Sequence, residues 1–256
     1  MNRAVSTAVD VALCLLLVAV AVATLTAPSP PIPTSTADAT AEQLATTTAN
    51  VTERVGGPRG RPIERRVSGT VASLLARATL ANLTLDGHHL APTTVAYRRG
   101  VHRAVDRLRD WAPARTSISA RWRPYPGAPL VGRLSVGPAP PPGVSVGTAR
   151  LSVPVPIEPV PEGADDSFDD LSRAVSDAVV DATLPESRPD GDGRAARRSE
   201  AYATALGGVD TSRARIRREL AARLEGDMRR RFDRPRDAAA ALATGSATLV
   251  VREWEP

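Results

Sequence analysis

The chain of 256 residues contains no lysine, so all 33 of its basic side chains are arginines. That absence excludes a Walker A phosphate loop, a Schiff-base lysine and a Ser-Lys dyad. A single cysteine, Cys14, sits inside an apolar N-terminal run, so the rest of the chain has neither disulfides nor thiol chemistry. Aromatic residues make up only 3%, so the core must be built from Val, Leu and Ala, which bury less area per residue than rings do. The three histidines, His88, His89 and His102, follow no zinc spacing. There is no nucleophile elbow and no Gly-rich nucleotide loop. Asp165, Asp166, Asp169 and Asp170 form an acidic run, and Asp190-Gly191-Asp192-Gly193 superficially fits a calcium loop. The run could attract a cation, whereas the second stretch lacks the ligand ladder and terminal Glu of a calcium loop, so both read as solvated charge. The expectation is a protein that is not an enzyme, with no catalytic residue, cofactor or metal.

The N-terminus supplies the strongest positive signal. Residues 1–27 hold Arg3, a nearly uninterrupted apolar run and Ala27-Pro28. This length matches the roughly 20 apolar residues that span a bilayer. Arg3 on the leading flank keeps that end cytoplasmic and places the remainder outside the cell membrane, as a single-pass arrangement. Three readings remain open: an uncleaved transmembrane anchor, a secretory signal with Ala21-Val22-Ala23 as cleavage site, or, because Arg3-Ala4-Val5-Ser6 before the apolar run resembles archaeal type IV prepilin leaders, a leader that on this resemblance is cut after Ala4 to leave Val5 first. Asp10 lies early in the apolar segment, where it faces headgroups or contacts a partner helix.

Residues 28–40, rich in Pro and Thr, read as a linker, and 41–256 as an external domain with a possible sub-boundary near 156–164. The fold class expected is α+β: an N-terminal transmembrane helix, then a small, mostly antiparallel sheet and several amphipathic helices. Strands are expected over 46–55, 116–122, 130–136, 144–155 (with a bulge near Gly147) and 247–252. Helices are expected over 41–45, 68–82, 92–111, 165–184, 195–206, 212–232 and 235–243. In 116–122, Thr116, Ile118, Ala120 and Trp122 alternate with Ser117, Ser119 and Arg121, a half-buried strand pattern.

The charge is concentrated late in the chain. The net charge is +5, and the stretch 213–236 carries Arg217, Arg218, Arg229, Arg230 and Arg231 among its arginines. Interleaved Glu219, Glu225, Asp227 and Asp233 make it read as a salt-bridge-laced surface helix. The same arginines are contact candidates for an anionic partner. Nucleic acid is not expected, because the interleaved aromatics of a single-strand reader are missing. Asn50-Val51-Thr52 and Asn82-Leu83-Thr84 are glycan acceptor sequons, so Asn50 and Asn82 are glycosylation candidates in an external domain.

The string Arg3-Ala4-Val5-Ser6 before the apolar run resembles archaeal type IV prepilin leaders. Together with 122–130 and 250–256, it makes the chain similar to uncharacterised single-pass membrane proteins of halophilic archaea associated with pilin-like clusters. That resemblance implies a pilin-like or accessory structural protein whose partners are the lipid bilayer and other membrane or pilus-like subunits. The alternative is a tethered extracytoplasmic binding module that uses the Arg-rich helix.

Overall fold

The computed structural model describes residues 36–56, 62–90, 95–109, 115–161, 163–184, 199–200, 203–207 and 212–255. The helices are α1 (Thr36–Thr46), α2 (Val71–Ala81), α3 (Val95–Arg109), α4 (Phe168–Thr183), α5 (Arg213–Arg231) and α6 (Pro235–Ala240). The strands are β1 (Thr48–Gly56), β2 (Pro62–Thr70), β3 (Leu83–Leu85), β4 (His88–His89), β5 (Arg115–Trp122), β6 (Leu130–Val136), β7 (Gly147–Pro154) and β8 (Ser246–Trp254). β1 and β2 pair with each other, and the other six form an antiparallel sheet in the order β4-β3-β6-β5-β8-β7.

The expected α+β class with antiparallel pairing is present, but the transmembrane helix in that expectation is corrected. Among the described residues, no helix is long and apolar enough to cross a membrane. The longest of the described helices, α5, has 19 residues and is crowded with arginine. Arg3, Ala4, Val5, Asp10 and Cys14 lie outside the described residues.

One face of the sheet is buried. Thr116, Ile118, Ala120 and Trp122 of β5 share it with Ala247, Leu249, Val251 and Glu253 of β8. Leu130, Leu134 and Val136 of β6 and Ala149 and Val153 of β7 complete it. The helix α2 packs on this face and is buried along nearly its whole length. Gly132 lets α2 come close: a Cβ there would stand 2.5 Å from the carbonyl oxygen of Thr79. The helix α1 packs on β7 and β8 and is tied down by a buried carboxylate. Glu253 Oε1 accepts from the hydroxyls of Thr40 at 2.6 Å and Thr116 at 3.1 Å.

The second packing unit is the pair α4 and α5. Phe168, Leu171, Val175 and Val179 meet Ile216, Leu220, Leu224 and Met228, and all of these side chains are buried. Ser167 caps α4 by accepting from the amide of Asp170, and Ser212 caps α5 in the same way. The Trp122 indole donates to the Thr244 carbonyl at 2.8 Å, joining the sheet to the turn before β8.

Several boundaries differ from expectation for local reasons. Helix α1 begins at Thr36, inside the stretch that reads as linker. Ser68–Thr70 ends β2, and the helix starts only after Thr70, whose hydroxyl accepts from the Ser73 amide. Val144 is exposed and β7 starts at Gly147, so no bulge is needed there. The strands β3 and β4 are too short to show a periodic pattern. They are joined through Asp86 and Gly87, both at positive φ (49° and 86°), as a tight two-residue hairpin requires.

Two glycine substitutions should act with opposite sign. Gly132→Ala forces β6 off α2 and is expected to cost about 2 kcal/mol, in the range of overpacking. Gly226→Ala, within α5, meets only the end of the Arg230 side chain at 3.6 Å. It is expected to stabilise by about 0.5–1 kcal/mol through helix propensity. Urea unfolding monitored by circular dichroism measures both.

Candidate interaction face

The register that buries one face sends alternate side chains to the other. Arg115 lies opposite Trp254, and Ser117 lies opposite Arg252, which faces Thr148. Arg150, Val250, Ser119 and Ser135 form the next row across β7, β8, β5 and β6. Ser152, Thr248, Arg121 and Arg133 form the row after that. The rows just named thus carry five arginines and six Ser or Thr residues on four adjacent strands, with no Asp or Glu among them.

Arg115, Arg121, Arg133 and Arg150 are exposed, while Arg252 is partly buried and donates to the Ser119 hydroxyl at 3.2 Å. Among the described residues, none of the five has a carboxylate partner. Arg121 and Arg133 stand directly opposite each other on neighbouring strands. Like charges in that position are destabilising, on the order of 0.2–1 kcal/mol. At one corner Trp254 is buried, and its indole nitrogen has no hydrogen-bond partner among the described residues.

The Arg-rich helix α5 behaves differently. Arg217 pairs with Asp177 (3.3 Å) and with Asp181 on α4, and Asp181 also holds Arg213. Arg229 pairs with Glu225 at 2.6 Å, and its guanidinium lies over the Phe168 ring. Arg230 and Arg231 reach Asp227 at 3.2 Å and 2.7 Å. Arg223 pairs with Asp86 at 2.9 Å, outside the helix. Arg218 is exposed without a carboxylate partner among the described residues. The five contact candidates are therefore not gathered into one free patch. Four of them are committed to carboxylates.

Asp227 is buried and does more than neutralise arginine. Tyr125, fully buried, donates its hydroxyl to Asp227 Oδ2 at 3.1 Å, and its ring meets Phe232 edge-on at 5.9 Å. Burial, followed by the adjacent carboxylate, pushes the Tyr125 phenol well above its ordinary value. Gly127, at φ 81°, turns the loop so that Arg231 fits beneath it. This arrangement clamps the 123–129 loop to the end of α5.

The remaining candidates are separate. Asn50 is exposed on β1, and its carbonyl oxygen accepts from Ser68 at 2.6 Å. The Asn82 side-chain nitrogen already donates to the Arg133 carbonyl at 2.6 Å, and its oxygen accepts from Arg98. His88 and His89 are exposed on β4. Burial holds the His102 imidazole below its ordinary value, with Asp106 opposing and Arg98 adding to the shift. Among the described residues, no group of His, Cys, Asp and Glu could hold a metal ion. The Asp190–Gly193 stretch lies outside the described residues. An open groove of about 470 Å³ runs between the Pro156–Pro161 stretch and the α4 face bearing Asp170, Asp177 and Asp181.

In the sequence the sheet-face arginines are isolated single letters that no motif or charge run groups together. The available signal was parity: Arg121 and Arg133 fall on the polar phase of strongly alternating strands. Residues 9–254 match a family of unknown function, DUF7284. The chain belongs to that family. No curated protein and no solved structure matches this DUF7284 member.

Two outcomes are expected. Tyr125→Phe should cost about 1.5 kcal/mol, as for a hydrogen bond to a charged group. Because the folded phenol holds its proton more tightly, the unfolded state ionises first and the native protein loses stability as pH climbs past about 10. That loss should be smaller in the variant, by urea titrations at pH 8 and pH 10.5. Where the chain meets a glycosylating system, peptide mass spectrometry should find glycan at Asn50 and none at Asn82.

Proposed function

We propose that this chain is a non-catalytic structural or accessory subunit of a pilin-like surface assembly, located outside the cytoplasm and acting through protein contact. Its docking surface is the open face of the six-stranded sheet. The observation that carries this reading is the set of outward arginines Arg115, Arg121, Arg133, Arg150 and Arg252, which lack any carboxylate partner among the described residues. Charge left unneutralised on a rigid platform favours complementary partners and suppresses wrong ones. The opposed pair Arg121 and Arg133 is relieved when an acidic group comes between them. The pilin-like part of the reading draws on the Arg3-Ala4-Val5-Ser6 string. The Arg-rich helix supports a docking role less well, since most of its charge is already spent on Asp177, Asp181, Glu225 and Asp227.

The full-length chain, cross-linked in its native cells, tests the contact. Arg121→Glu combined with Arg133→Glu should reduce the cross-linked partner yield about tenfold, equivalent to about 1.4 kcal/mol. Arg218→Glu, on the helix, should leave the yield within about twofold. The reverse ranking would transfer the role to the helix. For the pilin-like part, a native N-terminus at Val5 by mass spectrometry is the expected result, and a start at Thr24 would remove it.

A further inference from the structure

We infer that the occupant of the basic sheet face is a second copy of this chain, presenting the acidic flank formed by the 158–181 region. The inference rests on the reading that the open sheet face is a docking surface, and it names the partner.

The flank bears seven described carboxylates, Glu158, Asp165, Asp166, Asp169, Asp170, Asp177 and Asp181, against the three guanidinium groups of Arg173, Arg213 and Arg217. Arg173 is spent on Asp169 and Asp170, and Arg213 and Arg217 on Asp177 and Asp181. Glu158, Asp165 and Asp166 are exposed and without a cationic partner among the described residues. One molecule therefore displays two surfaces of opposite sign, each with charge left over. They do not neutralise each other internally, since none of the sheet-face arginines has a carboxylate partner among the described residues.

Charge complementarity between two different patches of identical chains makes a heterologous contact, which propagates into a ring or an open filament instead of closing as a two-fold dimer. That is the behaviour a repeating structural subunit needs. A nucleic-acid strand fits the face less well. The outward rows hold Ser, Thr, Val and Arg, and their one aromatic residue, Trp254, is buried, so bases would have nothing to stack on.

Sedimentation velocity of the purified full-length chain tests this, with thermal melts confirming that each variant folds. The salt is varied from roughly 0.1 M to 1 M, over which the screening length falls from about 10 Å to about 3 Å. The wild type should self-associate at low salt and dissociate at high salt. Arg121→Glu with Arg133→Glu should remain monomeric at low salt, and so should Asp165→Arg with Asp166→Arg. An equimolar mixture of the two variants should associate again, because each supplies the complement that the other lost. The charge-swapped chain carrying all four changes should also regain self-association. A wild type that stays monomeric at low salt, a mixture that fails to restore association, or assembly only on added single-stranded DNA would overturn the second-copy proposal. If the face variant still loses its cross-linked partner in cells under those outcomes, the docking face stands and only the identity of its occupant falls.

Discussion

Among the described residues, helices pack on one face of the six-stranded sheet, and the positions of the other groups follow from that asymmetry. In β5 and β8 the buried residues recur every second position, with Ile118 beside Val251 and Ala120 beside Leu249. A slip of one residue in either strand would expose this row and bury arginine. At about 25 cal/mol per Å² of apolar surface, the penalty is large enough to hold the register. The close approach of α2 at Gly132 and the Thr40–Glu253 bond of α1 depend on the same alignment.

With the register held, charge separates by context. Most arginines on α5 have carboxylates one turn away or on α4 and are neutralised by them, while Arg223 reaches Asp86 and Arg218 has no such partner among the described residues. Exposed pairs of this kind contribute little, typically 0–1 kcal/mol each, but they remove free charge from that side of the molecule. Arginines on the sheet have neighbours set by strand pairing, and those neighbours are Ser, Thr, Val, Trp or another Arg. The eight guanidinium groups of α5 and the five of the sheet therefore have different consequences: a largely paired helix and an unpaired face.

The clamp at Tyr125 links the sheet to the helical pair. A buried phenol, a buried carboxylate and two arginines close the 123–129 loop onto α5, with Phe232 packed against the ring. In a chain so poor in aromatics, Trp122 and Tyr125 are the two largest fully buried side chains among the described residues, and they lie almost adjacent in sequence. Each also satisfies its polar atom, Trp122 on the Thr244 carbonyl and Tyr125 on Asp227, as buried amphipathic rings require. This short segment therefore fastens three parts of the fold: the sheet, the turn before β8 and the end of α5.

The linear chain by itself determined the α+β class, the alternation in β5 and β6, the buried stripe Phe168, Leu171, Val175 and Val179 of α4, and a capped start of α5 within Asp210-Thr211-Ser212, of which the structure selects Ser212, because each is encoded by neighbours within a few residues. It also exposed the density of arginine after residue 212. It did not disclose β2, β3 or β4, whose partners or turn geometry had to be present before they could be recognised. Nor could it show which arginines remain free. That depends on whether a carboxylate arrives from another element, as Asp177 and Asp181 do for Arg217, or whether strand pairing brings Arg133 to Arg121 instead. Local hydrophobic period is written along the chain, whereas electrostatic neutralisation is a property of distances that exist only after the strands and helices have met.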